Sequence, residues 1–309
     1  MKILCVGQLV TDIIAAYVDY THLDKDTRRV DQIVVKNGGD SMNTAINLAK
    51  LGCDVNFAGK IGNDSFGSFL RSVFEENNID IRGLKITDKA STASVIVLVN
   101  EQGQRVFLYC GGANDTFCFN DIDLSLLDDC SHVHVGGTYL LPKFDGDGCA
   151  RLFAAARGKG KTTSMDVTWD TTNRWLSVIE PCLPYLDLFM PSEAEARQIT
   201  DADEPEQMAA FLQERGVKTV VIKLGERGAY IKDGGEGLYQ PAYPTNVVDT
   251  TGAGDAFVAG FLSQYTKRSP LTECASFAVA VAAHCIREVG ATGGVPDEAT
   301  VKNLIKNFK

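Results

Sequence analysis

Basic residues are scarce in this 309-residue chain: 30 Lys and Arg stand against 40 Asp and Glu, which gives a formal net charge of −10. Nucleic acids and anionic membranes are bound through clustered Lys and Arg side chains. The charge balance therefore argues against a nucleic-acid-binding or membrane-surface protein. An anionic ligand would need a local basic pocket.

Paired-cysteine motifs are absent. The chain has 9 cysteines, an odd number, and they are scattered through apolar segments without a Cys-x-x-Cys pair. This pattern is typical of buried reduced thiols and not of a disulfide framework or a structural zinc site.

Long hydrophobic runs are missing as well. The longest, Phe277 to Ala283, is far too short to span a bilayer, and Met1 to Gly7 has no signal-peptide pattern. Apolar residues make up 45% of the chain and charged residues 23%, as in globular proteins. We expect a cytoplasmic protein, and no repeat, low-complexity tract or proline-rich linker divides it.

The most informative stretch is a glycine-rich turn, Asp249 to Phe257, directly before an apolar helix-forming segment. Gly252 and Gly254 let a ligand approach the backbone, and a helix start leaves unpaired N–H groups beside a partial positive charge. Asp255 would repel a bound phosphate, so it is better explained as a base for a hydroxyl that attacks a phosphoryl group. A glycine-rich helix start with Asp255 as a cap is the structural alternative.

Two other glycine motifs do not fit this turn. A Walker A loop needs Gly-Lys-Ser/Thr, where Asp255 and Ala256 stand here. A dinucleotide fingerprint needs a third glycine, where Phe257 stands, and an early position in a βαβ unit. A P-loop enzyme and an NAD-dependent oxidoreductase are therefore disfavoured.

The whole stretch resembles the C-terminal signature of the ribokinase-like (PfkB) carbohydrate kinases, which transfer the γ-phosphate of ATP to a sugar or nucleoside hydroxyl. The resemblance implies that Asp255 is the catalytic base and that Gly252, Ala253 and Gly254 form an anion hole. It also implies that ATP and Mg²⁺ are bound, with Thr250, Gly252 and Gly254 beside the nucleotide.

A second glycine pair, Gly38 and Gly39, precedes a predicted helix whose apolar residues have helical spacing. On the residues alone, Asp40 as a helix cap and Asn43 as a solvated side chain explain this run equally well, and Asp12 can be a capping residue in a turn. The run also resembles the family's N-terminal signature. That resemblance implies that all five of these residues contact the sugar.

Strand and helix patterns alternate from Asp54 onward, including strands at Thr162 to Val167 and Tyr185 to Met190, which predicts a parallel sheet. Strand-rich pieces without an intervening helix predict a separate small sheet. We expect an α/β, ribokinase-like fold: a single catalytic domain over 1–309, with a central mostly parallel sheet, helices on both faces, and a small antiparallel β-sheet lid inserted from about 12–36 and 90–112. The family resemblance implies a homodimer formed through the lid.

Two further motifs lie where the family has nucleotide-binding elements. Glu195 matches the acid of the Asn-x-x-Glu motif, which organises Mg²⁺ through water, while Ser192 replaces the usual Asn. Lys223, Gly225 and Gly228 resemble an element that borders the ATP phosphates, although a simple hairpin also explains them. By the same resemblance, Asp249, Thr251 and the loop at Gly290 enclose a candidate monovalent cation such as K⁺.

Other polar residues have plainer explanations. His132 and His134 would share one face of a strand, and strand packing is favoured over metal binding because no third ligand is evident. Asp166 and Asp170 follow a predicted strand, where either could reach a substrate or cap the next helix.

The sugar itself is less well defined. The Gly38-Gly39-Asp40 run is similar to that of 2-keto-3-deoxygluconate kinases, which implies a keto sugar or a sugar acid. However, Gly111 stands where those kinases have a carboxylate-binding arginine, and Arg105 is the alternative clamp. A nucleoside kinase of the same family remains open, as does a non-catalytic sugar-binding protein, although an intact Asp255 disfavours the latter.

Overall fold

A computed structural model describes residues 1–16, 30–100 and 105–307, without the side chains of Ala16 and Arg105. Residues 17–29 and 101–104, which belong to the two predicted lid insertions, lie outside the described residues.

In the part of the chain that the structure describes, the main sheet has nine strands. They are β1 (Lys2–Gly7), β4 (Asp54–Gly62), β5 (Asp80–Thr87), β8 (His132–Thr138), β9 (Thr162–Val167), β10 (Leu188–Phe189), β11 (Thr219–Lys223), β12 (Ala229–Asp233) and β13 (Leu238–Gln240). Their order is β13-β12-β11-β10-β9-β8-β1-β4-β5, and all pairs from β11 to β5 are parallel. Only the β11–β12 and β12–β13 pairs are antiparallel.

Both strands for which bounds were predicted are present, and one of them is shorter than predicted. β9 has the predicted bounds, whereas β10 contains only two of the residues expected between Tyr185 and Met190. The chain from Leu183 to Tyr185 forms a 3₁₀ turn with Pro184 inside it, so Tyr185 cannot belong to the strand.

Ten helices accompany the strands in the described residues. They are α1 (Asp40–Lys50), α2 (Ser65–Glu76), α3 (Leu126–Asp129), α4 (Asp147–Gly158), α5 (Leu176–Ile179), α6 (Glu193–Thr200), α7 (Pro205–Glu214), α8 (Ala253–Tyr265), α9 (Leu271–Cys285) and α10 (Glu298–Asn307). None of the described helices is long and apolar enough to cross a bilayer.

Helices cover both faces of the main sheet, as predicted. Along β1, Leu4 and Val6 join one buried cluster, which includes α4, α6 and α7 residues. Ile3 and Cys5 point the other way, into a cluster with residues of α1, α2, α8 and α9. Because side chains alternate along a strand, one continuous apolar run fills both cores.

The described residues of the lid form a separate sheet of four strands. They are β2 (Val10–Ala16), β3 (Gln32–Gly38), β6 (Ser94–Val99) and β7 (Arg105–Cys110), in the order β3-β2-β6-β7. The outer pairs are antiparallel, but β2 and β6 pair in parallel, so the expectation of an antiparallel lid was wrong at its centre. Both central strands follow parallel strands, β1 and β5, and therefore leave the main sheet in the same direction.

Both faces of the lid carry exposed apolar side chains, and one of them is partly buried: Phe107 and Tyr109, which share the face of Val95 and Val97, are 60% and 39% exposed. Val95 and Val97 lie on one face, in a small buried cluster with Val10. The opposite face carries exposed apolar side chains; these are Ile33, Val35, Ile96, Val106 and Leu108.

Candidate active site

Many of the predicted site residues gather at the carboxyl ends of the parallel strands, where open α/β sheets bind ligands. A cavity of about 360 Å³ lies there. Its lining side chains and glycines come from both halves of the chain; they are Asp40, Asp166, Val167, Thr168, Ser192, Glu195, Lys223, Gly225, Gly252, Gly254 and Asp255.

The glycine-rich turn forms the start of α8. Gly252 is the residue before the helix, with φ of 74°, and a Cβ atom there would overlap Ala291. Only glycine fits this position without strain and displacement. The Ala253 N–H donates to the Thr250 carbonyl at 3.2 Å, whereas the N–H groups of Gly254 and Asp255 have no partner among the described residues. The exposed Thr250 side chain does not line the cavity.

Asp255 is buried at this helix start and is hydrogen-bonded by a residue of the N-terminal glycine motif. Asn43 Nδ2 donates to Asp255 Oδ2 at 2.9 Å, and Asn37 Nδ2 donates to Asn43 Oδ1 at 3.1 Å. Burial raises the pKa of Asp255 well above its ordinary value; Asp40 adds to this rise, and the Asn43 hydrogen bond opposes it. The arrangement gives a fixed carboxylate with strong affinity for a proton.

The N-terminal glycine pair places two more acids nearby. Gly39, with φ of 91°, precedes α1, and Asp40 is the first helical residue, so Asp40 is not the N-cap of α1. A Cβ atom at Gly38 would overlap the Asp12 carboxylate, which therefore packs directly against this glycine. Burial, with help from Asp40, raises the pKa of Asp12 to about 7, and burial followed by Glu195 raises that of Asp40 to about 6.

Lys223 and Asp166 form a buried ion pair across the cavity floor. Lys223 Nζ lies 2.7 Å from Asp166 Oδ2 and 2.8 Å from Oδ1. Burial, Glu195 and Asp40 raise the pKa of Asp166 to about 7, although Lys223 acts in the opposite direction. Asp170 has a structural role instead, because its carboxylate accepts from the N–H groups of Thr172, Arg174 and Trp175.

Ser192 and Glu195 form a reciprocal helix cap at the start of α6. Ser192 Oγ accepts from the Glu195 N–H at 3.3 Å, and Glu195 Oε2 accepts from the Ser192 N–H at 2.7 Å. Ser and Asn are equivalent N-cap residues. The departure from the family's Asn-x-x-Glu pattern therefore preserves the local fold and leaves both residues on the cavity wall.

Lys223, Gly225 and Gly228 belong to the β11–β12 hairpin, as the structural alternative expected. Gly225 lines the cavity. Gly228, with φ of 95°, lies against the Gln240 carbonyl and does not line it. Glycine is needed at position 228 for the turn.

The third predicted cluster is also assembled. Asp249 Oδ1 accepts from the Thr251 N–H at 2.9 Å and from Thr251 Oγ1 at 2.7 Å, while Asp249 Oδ2 accepts from the Gly290 N–H at 2.9 Å. The following residue, Ala291, packs against Gly252. The loop around Gly290 thus supports the glycine-rich turn.

Two lysines that the sequence motifs did not single out hold this loop. Lys36 Nζ, from the lid strand β3, donates to the Val289 carbonyl at 3.0 Å. Lys50 Nζ, from α1, donates to the Thr292 carbonyl at 2.6 Å. Both acceptors are backbone atoms more than two hundred positions away, so no residue pattern could have indicated these contacts.

The remaining predicted residues lie elsewhere. His132 Nε2 and His134 Nδ1 both contact Ser164 Oγ, at 2.7 and 2.9 Å, which fits the strand-packing interpretation. Arg105 begins β7, but its side chain lies outside the described part of the chain.

Among known proteins, this chain is similar to several carbohydrate kinases. The family described as pfkB family carbohydrate kinase matches residues 1–298. An uncharacterized sugar kinase of Archaeoglobus fulgidus is 32% identical over 251 residues, covering 81% of this chain and 98% of that protein. An ATP-dependent 6-phosphofructokinase of Thermoanaerobacterium thermosaccharolyticum is 28% identical over 307 residues, covering 98% and 93%. The structure of Arabidopsis thaliana ribokinase complexed with ribose and ATP is similar with a TM-score of 0.88 and 25% identity, covering 99% and 98%.

Proposed function

The chain belongs to the pfkB family of carbohydrate kinases, and on that premise we propose that Asp255 is the base for transfer of the ATP γ-phosphoryl group to a sugar hydroxyl. The observation that carries the proposal is the buried Asp255 carboxylate, fixed by Asn43 beside the free N–H groups at the start of α8. The carboxylate that takes the proton and the N–H groups that stabilise the anion then lie next to each other.

In this mechanism the acceptor sugar lies between the lid and α1, with its hydroxyls bonded to Asp12, Asp40 and Asn43. Asp255 takes the proton from the attacking hydroxyl. The Gly254 and Asp255 N–H groups, with the glycine-rich turn from Gly252, stabilise negative charge on the transferred oxygens. A positioned base contributes roughly 10² to 10⁴ in rate.

The nucleotide side of the cavity is supplied by Lys223, Gly225, Ser192 and Glu195. Lys223 is close to the carboxylates of Asp166 and Glu195. The carboxylate oxygens of Asp166 and Glu195 suit a hard cation such as Mg²⁺. When bound, this ion would neutralise negative charge on the phosphates. The protein's own part is to orient the phosphates with Lys223 and to hold Glu195 through the Ser192 cap.

A monovalent cation is a further part of the proposal. Asp249, Thr251 and Gly290 are joined by hydrogen bonds beside Gly252. A cation among them would strengthen the anion site without contacting ATP. Activity should then fall when K⁺ is replaced by a large organic cation, and equal activity in both would count against this site.

The acceptor's charge follows from the carboxylates around the cavity. The resemblance to 2-keto-3-deoxygluconate kinases favours a keto sugar or a sugar acid. However, the carboxylates of Asp12, Asp40 and Asp255 would repel the carboxylate of a sugar acid. Asp115 adds to the negative charge, because its carboxylate packs against Gly111. Gly111 is the position at which those kinases have a carboxylate-binding arginine. The alternative clamp, Arg105, is the first residue of β7, and Gly111 directly follows that strand. Six positions of extended chain, roughly 20 Å, therefore lie between Arg105 and Gly111. We therefore propose an uncharged sugar as the acceptor.

The lid is the proposed dimer surface. Its exposed apolar face is opposite the face that carries Asp12, so a second copy of the chain could cover it without blocking the sugar site. Exposed apolar patches of this kind mark protein interfaces.

The proposal is tested by ADP release from MgATP across hexoses, pentoses, keto-deoxy sugar acids, sugar phosphates and nucleosides, with Asp255→Asn in parallel. A substrate-dependent signal that the variant loses by roughly 10² to 10⁴ is expected. Substrate binding should persist in the variant, because the amide preserves the shape of the carboxylate. Wild-type turnover in Asp255→Asn would falsify the assignment of the base.

A further inference from the structure

A second cavity lies at the opposite end of the sheet from the candidate active site. Its volume is about 590 Å³, larger than the active-site cavity and within the usual range of small-molecule pockets. It is bounded by the starts of β9 and β11 and by the loop that joins α8 to α9. Thr162, at the start of β9, lines this cavity, whereas Val167, at the end of the same strand, lines the active site. The six residues of β9 span roughly 17 Å from one site to the other.

Three cationic side chains surround this second cavity. Lys161 precedes β9, Lys218 precedes β11, and Arg268 lies in the loop between α8 and α9. Among the described residues none of the three has a side-chain hydrogen bond or an ion pair. Lys161 is half-buried, while Lys218 and Arg268 reach solvent. The cations come from three separate loops, so the fold brings them together.

Little negative charge opposes them. Among the described residues of the cavity wall Asp233 is the single acidic one, and its Oδ1 already accepts from Thr219 Oγ1 at 2.9 Å. The net charge of the cavity wall is therefore positive, although the formal net charge of the chain is −10. A cleft lined by one sign of charge concentrates ligands of the opposite sign. This is the local basic pocket that an anionic ligand of such an acidic protein requires.

The other walls suit a small metabolite. Ser131, Thr162 and Thr219 contribute hydroxyl oxygens that are already hydrogen-bonded within the protein, and the half-buried ring of Tyr265 supplies an apolar surface. Leu271, the first residue of α9, also lies on the wall, and the first N–H groups of a helix have no intrahelical acceptor. Arg, Lys and free N–H groups together match the oxygens of a phosphoryl group.

We propose that this cavity binds a small phosphorylated metabolite, held through its phosphoryl oxygens by Lys161, Lys218 and Arg268. The ligand carries at least two negative charges, and it occupies a site separate from the one that binds ATP and sugar. The phosphoryl group is the shared feature of sugar phosphates and nucleotides, and both are products or substrates of kinases.

The test uses inorganic pyrophosphate as the probe, titrated calorimetrically into the full-length protein in metal-free buffer at low salt. The variant Lys161→Ser/Lys218→Ser/Arg268→Ser removes all three cations. A matched control, Lys85→Ser/Lys89→Ser/Lys143→Ser, removes the same charge from exposed lysines that line neither cavity. Melting temperatures and steady-state kinetics of both variants show whether fold and active site are intact.

We expect the wild-type protein to bind pyrophosphate. The triple variant should lose about tenfold or more in affinity, with kinetic constants unchanged, while the control keeps the wild-type affinity. No binding to the wild-type protein, unchanged binding in the triple variant, or an equal loss in the control would overturn the proposal. If the triple variant does not fold, Arg268→Ser and Lys161→Ser are tested singly, and unchanged affinity in both would also overturn it.

A second titration identifies the source of the phosphoryl group. AMP and a hexose monophosphate are compared as competitors for the site that the triple variant loses. Displacement of pyrophosphate by either one names the ligand class, and displacement by neither would overturn the proposal of a metabolite site. The outcome is independent of the kinase assay, because a protein without kinase activity can still bind at this cavity.

Discussion

Asn43 and Asp255 are separated by 212 positions in the chain and joined by a 2.9 Å hydrogen bond from Nδ2 to Oδ2. The bond connects the first residues of α1 with those of α8, so the two glycine-containing motifs form one site. It also fixes one oxygen of the carboxylate that we propose as the base.

Asn43→Ala should therefore shift the pH dependence of kcat/KM. The Asn43 hydrogen bond lowers the pKa of Asp255 against the effect of burial, so its loss raises that pKa further. Because the base must be ionised, the acidic limb should move to higher pH. At neutral pH the rate should fall about 10- to 100-fold, the effect of one hydrogen bond to a charged group. An unshifted acidic limb would show that Asn43 only binds the sugar.

Lys223→Met should destabilise the protein, because it leaves Asp166 buried without its cation. Breaking such a pair costs about 3–5 kcal/mol in the free energy of unfolding. Adding Asp166→Asn should restore most of the loss, since the carboxylate that Lys223 contacts directly is then removed. Chemical denaturation of the single and double variants measures both effects, and an equally unstable double variant would contradict the explanation.

The same variant should have a characteristic pH dependence of stability. Asp166 has a pKa of about 7 in the folded protein, above its ordinary value. A raised pKa stabilises the fold at low pH, and that stabilisation is lost as the pH rises from about 4 towards 7. Removing Lys223 raises the pKa further, so the deficit of Lys223→Met should be larger at pH 8 than at pH 5.5. Equal deficits at both values would contradict this.

Gly252→Ala and Gly254→Ala should differ in stability although both change the proposed anion site. Gly252 has φ of 74°, and its added Cβ would overlap Ala291, so the variant should lose more than about 1–2 kcal/mol. Gly254 is inside α8, where a Cβ would meet only Lys223 Nζ at 3.4 Å. Gly254→Ala should melt at or above the wild-type temperature, with a raised KM for ATP because the methyl group enters the cavity. Thermal melts and steady-state kinetics separate the two cases.

Lys36→Met should weaken the link between the lid and the loop at Val289. We expect a higher KM for sugar and ATP, with little change in melting temperature because the side chain is partly exposed. Lys36→Arg should restore function, since a guanidinium can donate to the same carbonyl. Lys50→Met is the comparison: its bond to Thr292 comes from α1 and not from the lid. A loss of affinity for both substrates in Lys50→Met but not in Lys36→Met would exclude the lid contact.

Ile96→Asp should prevent association through the lid. Ile96 is 41% exposed in the centre of the apolar face, where a second chain would bury the new charge. Analytical ultracentrifugation should show a dimer for the wild-type protein and a monomer for the variant. Ile86→Asp is a matched control, because Ile86 is 49% exposed on the edge strand β5 of the main sheet. A monomeric wild-type protein, or dimers of both variants, would contradict the proposed interface.

Much of the fold could be predicted from the sequence. The alternation of strand and helix patterns, the buried β1, the bounds of β9 and the two glycine turns are local properties of the chain. Side-chain periodicity and the conformational freedom of Gly39 and Gly252 act within a few residues, so a sequence pattern is sufficient to indicate them. A helix cap is local in the same sense: the Asp64 side chain, one residue before α2, accepts from the Gly67 N–H.

The rest was decided by the tertiary structure. The parallel pairing of β2 with β6, the ion pair of Lys223 with Asp166, and the contacts of Lys36 and Lys50 with backbone carbonyls all join segments far apart in the chain. Asp166 and Asp170 were equivalent candidates until β9 directed one into the cavity and a turn of N–H groups engaged the other. The sequence by itself determined which residues could do the chemistry. Their partners and pKa values depend on distance and burial, which exist only once the two ends of the chain are packed together.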